Sequence, residues 1–507
     1  MTIWQQAERT PDKTAMLMHP SGESVTFAEL ADRTLRLASY IRSAGLGTGD
    51  TLAVWMRNST WYHSLYFAAM RCGVHLVPVN ANLTAGEAAY IINDAGASLV
   101  FAHRATDEAG DLGDLLPEGT VLTSIGGDLD GYEALEPRLV EMPHQPETDV
   151  VRGATMFYSS GTTGRPKGIR RTISGVGYEE GNVFETFLQT SYGMTDETVY
   201  LSPGPSYHSL PLMYAAGTID AGGTAIIMER FDAAAALDLL EEHRVSMSQW
   251  VPTMFKRLLA LPEDVRAGRD LGAHTLALVS GAPCPPQVKE AMIDWWGPIV
   301  TELYGASEPY GITRATSEEW LSHRGTVGRP LMGEPHICDL DGEDLPSGEV
   351  GKIYFDLPER LEYHNDPDKS AQNTHPEHPT WRTVGDIGYL DEDGFLYVTD
   401  RESNVVISGG VNIYPQEVED ALISDPDVVD AAVVGVPDDD LGEVVRAVVV
   451  LRDGVPADGM QEVLVERMQR SFARYKIPRQ WVFVDQLPRH DNGKLYKRLL
   501  KTVGAAS

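Results

Sequence analysis

The chain has 507 residues, which is too long for a single hydrophobic core, so we expect at least two domains. Its 74 acidic residues outnumber its 41 basic residues and give a formal net charge of −33. This balance argues against a general nucleic-acid binder and against a polybasic membrane-surface protein. It is compatible with anionic small ligands, because a few local cations and backbone N–H groups can hold a phosphate inside an acidic protein.

The first 150 residues alternate between segments with helical apolar spacing and short apolar runs typical of strands. Such alternation predicts parallel strands joined by right-handed crossovers. In chain order we predict helix 27–44, strand 51–56, helix 61–72 with Gly73 as its C-cap, strand 76–79, helix 85–94 and strand 99–102. The pattern continues with strands 154–157 and 225–228, helix 233–243 and strand 276–279.

The last hundred residues show a different organisation. Strand-like segments 431–436, 444–451 and 481–484 surround two helical stretches, 416–423 and 460–475, which predicts a compact α+β unit. The polar run 400–404 lies between two apolar strands and is typical of a join between domains. Residues 359–380 are rich in His, Pro, Asn and Asp and predict a long irregular loop. Prolines beside His375 and His378 argue against a helical metal site, so we expect solvated histidines there.

Cysteine usage and hydropathy indicate a soluble cytoplasmic protein. The three cysteines, Cys72, Cys284 and Cys338, form no Cys-x-x-Cys pair, so neither a disulfide framework nor a thiolate zinc cluster is predicted. The N-terminus lacks the apolar run of a signal peptide, and no uncharged apolar stretch of about 18 residues occurs. We therefore expect no stable membrane insertion and no nucleic-acid partner.

The richest chemical signal is the segment 158–168, Tyr-Ser-Ser-Gly-Thr-Thr-Gly-Arg-Pro-Lys-Gly, which follows a predicted strand. Its glycines allow backbone N–H groups to point inward, and its hydroxyls and lysine add donors and a cation. This combination suits a polyphosphate better than a merely flexible polar turn. The segment is not a Walker loop, because the Gly-x-x-x-x-Gly-Lys-Ser/Thr spacing is absent.

With this turn, the chain resembles the adenylate-forming superfamily of acyl-CoA synthetases, peptide-synthetase adenylation domains and luciferases. The other motifs occur in the family's order and, with the turn, span nearly the whole chain. They are Ser280-Gly281-Ala282-Pro283, Tyr304-Gly305-Ala306-Ser307-Glu308, Gly385-Asp386-Ile387-Gly388, Asp400-Arg401 with Ser408-Gly409-Gly410 and Asn412-Ile413-Tyr414-Pro415, and Pro488-Arg489-His490-Asp491-Asn492-Gly493-Lys494-Leu495.

The resemblance implies an α/β protein with two parts. A large N-terminal body of several subdomains, with layered sheets and helices, would cover residues 1–400, and a small mobile C-terminal α+β lid domain would cover residues 401–507. It also implies a ligase that forms carbon–sulfur bonds and uses a carboxylic acid, ATP, Mg²⁺ and CoA. The acid would attack the α-phosphorus of ATP, pyrophosphate would leave, and CoA would then displace AMP. The oligomeric state stays open, a homodimer included.

The resemblance also assigns roles to individual residues. Glu308 would bind Mg²⁺, Tyr304 would stack on adenine, Asp386 would accept the ribose hydroxyls, and Arg401 would reach ribose or phosphate. For any one of them alone, an ordinary core or surface residue is the alternative. The whole implied ATP and AMP site comprises Ser159, Ser160, Gly161, Thr162, Thr163, Gly164, Lys167, Ser280, Gly281, Ala282, Pro283, Tyr304, Gly305, Ser307, Asp386 and Arg401.

The implied catalytic residues are Lys494, Glu308 and His208. Lys494 follows Asn492-Gly493, a turn signal that predicts a loop tip, and the lid would carry it to the carboxylate and phosphate oxygens. After adenylation the lid would rotate and present Gly409 and Gly410 to the pantetheine arm of CoA. Ser403 occupies the hinge position, where the family normally has Asp or Lys, so its hinge role stays open.

The acid-binding residues implied by the family favour an apolar acid. The acidic residue that amino-acid-activating relatives use for the ammonium group is absent after 205–208. We expect medium-chain fatty, aryl or cyclic acids, with bulky Tyr310 shortening the pocket. His208 matches an aromatic gate position, and a core histidine is the alternative. The implied pocket residues are Tyr207, His208, Leu212, Trp250, Val251, Met254 and Tyr310.

Three functions remain open at this stage. The first is an AMP-forming acyl-CoA ligase, favoured because all motifs are present. The second is a stand-alone adenylating enzyme that loads a phosphopantetheinyl carrier protein. The third is a nucleotide-binding protein without catalysis, against which Lys494 argues.

Overall fold

The computed structural model describes residues 2–144, 150–159, 165–180, 183–308, 310–339, 341–358, 362–489, 495 and 497–502, with the side chains of residues 183–185 and 498 left out of the description. By contact density it divides into two compact units. The first unit comprises Met1–Trp250, Leu261–Ala277 and Leu361–Ala371, and the second comprises Val251–Ala260, Leu278–Arg360 and Gln372–Ser507.

The helices follow in chain order. They are α1 (Ile3–Arg9), α2 (Phe27–Ser43), α3 (Thr60–Cys72), α4 (Ala85–Asp94), α5 (Leu135–Glu141), α6 (Val183–Tyr192), α7 (Ser209–Asp220), α8 (Ala233–Glu242), α9 (Pro252–Leu259), α10 (Glu263–Arg266), α11 (Pro286–Trp296), α12 (Ser317–Ser322), α13 (Pro367–Gln372), α14 (Pro415–Ile423), α15 (Met460–Met468) and α16 (Lys497–Leu500).

The strands also follow in chain order. They are β1 (Thr14–His19), β2 (Ser24–Thr26), β3 (Thr51–Trp55), β4 (His75–Val79), β5 (Leu99–His103), β6 (Val121–Ile125), β7 (Glu133–Ala134), β8 (Ala154–Ser159), β9 (Lys167–Arg170), β10 (Val199–Ser202), β11 (Thr224–Met228), β12 (Met247–Trp250), β13 (Leu276–Val279), β14 (Val300–Tyr304), β15 (Ile312–Ala315), β16 (Arg329–Met332), β17 (Glu334–Cys338), β18 (Gly351–Asp356), β19 (Trp381–Arg382), β20 (Asp386–Leu390), β21 (Leu396–Arg401), β22 (Val406–Ser408), β23 (Val411–Ile413), β24 (Val428–Asp438), β25 (Gly442–Leu451) and β26 (Gln480–Phe483).

The first unit contains two mixed sheets. One has the strand order β12-β10-β11-β1-β2 within this unit, parallel except for the β1–β2 pair. The other has the order β7-β6-β5-β3-β4-β8-β9, parallel except for the β8–β9 hairpin. The strands β3 and β4 are buried along their whole length, as expected for parallel strands that are covered on both faces.

The second unit contains antiparallel sheets. Strands β14, β15 and β16 pair antiparallel, and β17-β18-β20-β21 form another sheet with β19 beside β18. The C-terminal sheet has the order β23-β22-β25-β24, and β26 joins β25 in parallel. Helices α14 and α15 cover a core of Val, Ala, Leu and Met side chains there. The α+β character predicted for the last hundred residues is therefore present.

Capping signals explain why several predicted bounds agree with the structure. Helix α4 has the predicted bounds, and Thr84 caps it by accepting from Glu87 N while the Glu87 side chain accepts from Thr84 N. Gly73 ends α3 at a φ of +70°.

Among the described residues, no helix has the length and apolar character needed to cross a bilayer.

Two predictions about local structure were wrong. The helix predicted over 460–475 ends at Met468, because the chain turns so that Phe472 packs onto the C-terminal core. The loop predicted over 359–380 contains helix α13, whose first turn is capped by the Asp366 carboxylate, which accepts from Lys369 N at 2.9 Å, with Pro367 at the first helical position.

Of the two histidines expected to be solvated in this segment, His378 is exposed and His375 is not. His375 is buried, and its Nε2 lies 2.9 Å from the Gly342 carbonyl oxygen. His378 stacks on Trp381 with ring centroids 4.0 Å apart, and His336 stacks on the same indole at 3.6 Å. The ring of buried His375 meets the same indole edge to face with centroids 5.1 Å apart, a contact that loop composition does not reveal.

Candidate active site

The predicted phosphate turn connects the two strands of the β8–β9 hairpin. Ser159 and Lys167 are the register partners nearest the segment that connects the two strands, so the predicted turn begins and ends at this pair. Tyr158 anchors the hairpin because its hydroxyl donates to Asp94 Oδ2 of α4 at 2.7 Å. The predicted phosphate-binding residues Ser160, Gly161, Thr162, Thr163 and Gly164 lie outside the described residues.

Lys167 forms an ion pair with Asp366 within the first unit. Both side chains are mostly buried, with 25% and 20% of their surface exposed. Asp366 is also the cap of α13, so one carboxylate links the cation beside the phosphate turn to a helix 199 residues away in sequence. A phosphate approaching Lys167 would compete with this carboxylate for the ammonium group.

Tyr304, Asp386 and Arg401 meet in the second unit. The Tyr304 hydroxyl donates to Asp386 Oδ2 at 2.7 Å, and Arg401 Nε donates to Asp386 Oδ1 at 3.0 Å. Asp386 begins β20 and Arg401 ends β21, and the two are register partners in this antiparallel pair. The sheet therefore pairs Asp386 with Arg401, and the Tyr304 hydroxyl joins them from β14, so three residues that the sequence placed in separate motifs meet.

The electrostatics of this group fix its protonation states. The Asp386 carboxylate is the largest cause that raises the pKa of Arg401, and the Glu308 carboxylate adds to it. Burial raises the pKa of Tyr304 well above its usual value. Tyr304 therefore stays a hydroxyl donor and Arg401 stays charged near neutral pH, so both hold the Asp386 carboxylate in one orientation.

Tyr310, which the resemblance places in the acyl pocket, packs beside Tyr304. Its hydroxyl lies 3.3 Å from that of Tyr304, and its ring meets Phe355 edge to face with centroids 4.9 Å apart. Tyr310 belongs to a buried cluster of the second unit that includes Ile353 and Leu396. These contacts give it a packing function behind Tyr304, and an effect on acid length stays a prediction.

The predicted adenine-edge turn follows β13 directly. Gly281 has a φ of +87°, which an L side chain adopts only with strain, and a Cβ there would lie 3.5 Å from Val251 Cγ1. Ser280 is buried, while Ala282 and Pro283 lead into α11. The turn and Val251, one of the predicted acid-binding residues, are therefore neighbours in the second unit.

The remaining acid-binding candidates divide between the units. In the first unit, the rings of Tyr207 and His208 meet with centroids 4.7 Å apart at the start of α7, and Leu212 is buried in that helix. Trp250 is fully buried, and its Nε1 donates to Ser248 Oγ at 2.6 Å. In the second unit, Met254 is buried in α9, close after Val251.

Sequence reasoning missed several partners of the predicted residues. Asp366 and Asp94 support the hairpin of the phosphate turn, and Ser248 connects Trp250 to buried His274, whose Nε2 lies 2.7 Å from Ser248 Oγ. Asp366-Pro367 is a recognisable helix-start signal and could have been found. Nothing local marks the other contacts.

The start of the predicted lid domain is ordered by the Asp400 carboxylate. Asp400 Oδ1 accepts from Asn404 Nδ2 at 3.0 Å, and Oδ2 accepts from Gln416 N at 2.9 Å. Ser403, the candidate hinge, lies in a 3₁₀ turn over Glu402–Asn404. Gly409 and Gly410 form the turn between β22 and β23 with φ values of +57° and +81°. Lys494 lies outside the described residues.

Glu308 is the carboxylate that the resemblance assigns to Mg²⁺. Within the ranges that the structure describes, no three His, Cys, Asp or Glu side chains are grouped to hold an ion. Glu308 and Ser307 are partly buried, and Gly305 before them is exposed. One carboxylate suits an ion that takes its other ligands from phosphate and water.

The Asp386 carboxylate, oriented by Tyr304 and Arg401, suits the hydroxyl pair of a nucleotide, and the chain ends in an α+β part. Two family models match the chain. The model described as AMP-binding enzyme matches residues 3–359, and the model of the AMP-binding enzyme C-terminal domain matches residues 417–494. The chain belongs to the AMP-binding enzyme family.

Similar proteins agree with this assignment. A feruloyl-CoA synthase from Amycolatopsis sp is 33% identical over 498 residues, which cover 97% of this chain and 96% of that protein. The fatty acid–[acyl-carrier-protein] ligase ScoC from Streptomyces coeruleorubidus is 29% identical over 511 residues, covering 98% and 94%.

Solved structures resemble the whole chain. The amide bond synthetase McbA from Marinactinospora thermotolerans superimposes with a TM-score of 0.84 at 27% identity, covering 99% of this chain and 100% of that one. The o-succinylbenzoate CoA synthetase MenE from Bacillus subtilis, in complex with its acyl-adenylate intermediate, gives 0.81 at 28% identity, covering 98% and 97%. The predicted α/β fold, the superfamily and a ligase activity are thereby confirmed.

Proposed function

We propose that the protein is an AMP-forming acyl-CoA ligase. It activates a carboxylic acid with ATP to give acyl-adenylate and pyrophosphate, and then transfers the acyl group to CoA to give acyl-CoA and AMP. The observation that carries this proposal is the Asp386 carboxylate, held by Tyr304 and Arg401. An ionised carboxylate has about four lone-pair sites, so two remain for the 2′ and 3′ hydroxyls of a ribose.

The resemblance also assigns contacts to the adenine and to the phosphates. The ring of Tyr304 and the turn 280–283 would contact adenine, while the turn after Ser159 and the Lys167 ammonium would bind phosphates. The Lys167–Asp366 pair supports this assignment, because it keeps a charged donor at the base of the turn before the nucleotide arrives.

Mg²⁺ fits the donor set of the 304–308 segment. Glu308 supplies a carboxylate and Ser307 a hydroxyl, and this ion commonly takes one or two carboxylates with phosphate oxygens and waters. When bound, the ion would neutralise phosphate charge. Without the ion, the Glu308 carboxylate would repel the phosphates, so nucleotide binding should weaken.

Both half-reactions, adenylation and acyl transfer, would use residues of the C-terminal part. With a boundary at 400/401 and Ser403 as hinge, Lys494 would contact the carboxylate and phosphate oxygens, so that catalysis comes from positioning and charge stabilisation. Gly409 and Gly410, both with positive φ, would let the pantetheine arm pass closely. Asp400 supports the hinge assignment, because it ties the 3₁₀ turn to α14.

An aryl or cyclic acid fits better than a long acyl chain, and medium-chain acids remain in the expected range. The first-unit candidates are three aromatic side chains and a buried Leu, with Tyr207 and His208 in edge contact as the gate pair. The relatives named for feruloyl-CoA and 2-succinylbenzoate–CoA formation use acids that carry a ring. One methylene changes binding by about 1–3 kcal/mol, so we expect several acids to react.

Transfer to a carrier-protein phosphopantetheine is the second candidate, because the relative ScoC is named as an acyl-carrier-protein ligase. A cytoplasmic location and a homodimer stay predictions from the sequence.

The deciding experiment incubates the protein with ATP, Mg²⁺ and a panel of aryl, cyclic and medium-chain acids, first alone and then with CoA or a phosphopantetheinylated carrier protein. Acid-dependent pyrophosphate release and acyl-CoA are the expected products. Acyl-adenylate that reacts with the carrier but not with CoA would favour the second candidate. Absence of pyrophosphate with every acid would refute both.

A further inference from the structure

Asn58 binds three backbone groups through its single side-chain amide. The residue lies three positions after the end of β3, and its Nδ2 donates to the carbonyl oxygens of Gly204 at 3.0 Å and Met228 at 2.8 Å. Its Oδ1 accepts from Ser206 N at 2.6 Å. Both amide protons and the amide oxygen are therefore used, so the orientation of the amide is fixed.

These bonds join the carboxyl ends of strands from two sheets of the first unit. Strand β3 belongs to one sheet, whereas the segment that contains Gly204 follows β10 of the other sheet, and Met228 is the last residue of β11 beside it. In α/β proteins, ligands bind in the crevice outside the carboxyl ends of the strands. Asn58 therefore lies where this topology favours a ligand site, and every residue that it binds is in the same unit.

The bound segment leads directly into the predicted acid gate, Tyr207 and His208. His208 N donates to the Pro205 carbonyl oxygen at 3.1 Å, which closes a turn immediately before α7. A Cβ at Gly204 would lie 2.9 Å from Pro211 Cγ, so this turn packs closely against the first turn of α7. A shift of the turn should therefore move both gate rings.

A second asparagine binds the hydroxyl end of the Tyr207 ring. Asn82 lies three positions after the end of β4, and its Nδ2 donates to the Tyr207 hydroxyl at 3.3 Å. Its backbone N donates to Asn80 Oδ1 at 2.9 Å, so a local turn orients the residue. Only 6% of Tyr207 is exposed. The ring is thus held at its backbone end through Asn58 and at its hydroxyl end by Asn82.

We propose that Asn58 is a positioning residue for acid recognition: by fixing the backbone of residues 204–206, it places the Tyr207–His208 pair against the ring of the bound acid. Asn82 assists by binding the Tyr207 hydroxyl. The inference rests on the proposed function, because the pair recognises an acid only if the protein activates one. In this role Asn58 acts on the acid through the segment 204–208.

Strand β11 offers a matched control variant. Thr224 begins the strand, and its hydroxyl donates to the Thr14 carbonyl oxygen at 2.7 Å, whereas Met228 ends the strand at the Asn58 amide. Thr224→Val therefore removes a partly buried bond between a side chain and a carbonyl oxygen at the opposite end of the same strand. Its effect reports the cost of such a loss in the first unit away from the gate.

The test measures acid-dependent exchange of pyrophosphate into ATP with an aryl acid and with the shortest acid that the wild type activates. A displaced gate should cost the aryl acid more, because a ring contacts more of the pocket wall than a short acid does. We expect Asn58→Ala to lower kcat/KM about 10- to 100-fold for the aryl acid, the range for a small misplacement, and less than about fivefold for the short acid.

The other variants separate positioning from a loss of folding. Asn82→Ala should lower kcat/KM for the aryl acid about 3- to 10-fold, the effect of one neutral hydrogen bond. Thr224→Val should leave both acids unchanged. In Asn58→Ala the KM for ATP should also stay unchanged, because the ribose candidates Tyr304 and Asp386 belong to the second unit.

Two outcomes would overturn the inference. A wild-type kcat/KM for the aryl acid in folded Asn58→Ala would show that the amide does not place the gate. Equal losses for both acids, or a parallel rise in the KM for ATP, would indicate a merely structural role. If Asn58→Ala does not fold, Asn58→Asp, which keeps the acceptor for Ser206 N but loses both donors, carries the test with the same expectations. A wild-type protein without acid-dependent exchange would refute the proposed function itself, which separates the two failures.

Discussion

Replacing Asp386 by asparagine tests the nucleotide site most directly. The amide keeps the size of the side chain but removes its charge and one acceptor atom. The amide oxygen would face the Arg401 guanidinium, now 3.0 Å from Asp386 Oδ1, since an NH₂ group there would meet another donor. The NH₂ group would then face the Tyr304 hydroxyl and the ribose, where an acceptor is required.

The magnitude follows from the lost charged hydrogen bond. Hydrogen bonds to a charged group contribute about 1.5–3 kcal/mol, so we expect the KM for ATP to rise about 10- to 150-fold. Tyr304→Phe keeps the carboxylate and removes one of its donors, at 2.7 Å, so its effect should be smaller, about 3- to 10-fold. Because 53% of the Arg401 side chain is exposed, water can solvate it in the Asp386→Asn variant, and the thermal midpoint should fall little.

The assay is pyrophosphate exchange with ATP varied at saturating acid, with circular dichroism melting as the control for folding. An unchanged KM for ATP in a folded Asp386→Asn protein would contradict the ribose assignment. A larger effect of Tyr304→Phe than of Asp386→Asn would contradict the proposed order of importance.

The remaining predictions concern stability. Burial raises the pKa of Asp420 to about 6, so the folded protein binds this proton more tightly than the unfolded chain, and the free energy of unfolding falls as pH rises from about 4 to 6. Asp420→Asn removes this loss. In urea titrations the variant should be more stable than the wild type by up to about 3 kcal/mol at pH 7.5 and hardly more stable at pH 4. Burial lowers the pKa of His63 to about 4, so the contribution of its neutral form to the free energy of unfolding is fully present above pH 6.5 and is lost as pH falls from 6.5 to 4. The free energy of unfolding of His63→Phe should fall less steeply over this range. A Cβ at Gly328 would lie 2.0 Å from the Arg314 carbonyl oxygen at a φ of +100°, so Gly328→Ala should prevent folding, whereas Gly325→Ala, with open space, should cost about 1–2 kcal/mol.

Regular elements with local signals at both ends were the most predictable part of the fold. Strand β13 has the predicted bounds, and so does α4, whose capping box at Thr84 is readable in the sequence. Elements whose ends depend on distant packing were not. Helix α15 stops where Phe472 meets the C-terminal core, and His375 is buried beneath Trp381, neither of which leaves a periodic trace.

The residues of the candidate site also differ in how far the sequence predicts them. Tyr304, Asp386 and Arg401 belong to motifs, so a resemblance identifies them one by one, and the pairing of β20 with β21 then brings Asp386 and Arg401 together. Their supporting partners belong to no motif. Asp366 is 199 residues from Lys167, and Asp430 is 59 residues from Arg489. Nothing in the sequence indicates that these acidic residues pair with those cations.

These supporting residues explain why the charges of the site can be fixed in so acidic a protein. A cation placed near phosphate in a chain of net charge −33 attracts any nearby carboxylate, so its position has to be decided by the fold. Here Lys167 and Arg401 each have a carboxylate that is held by secondary structure, at the cap of α13 and at the start of β20. Orienting charges before the substrate arrives lowers the reorganisation needed in the transition state. Because Lys167 and Asp366 are mostly buried, removing one of them would leave the other charge unpaired, so this pair affects the free energy of folding as well as the rate.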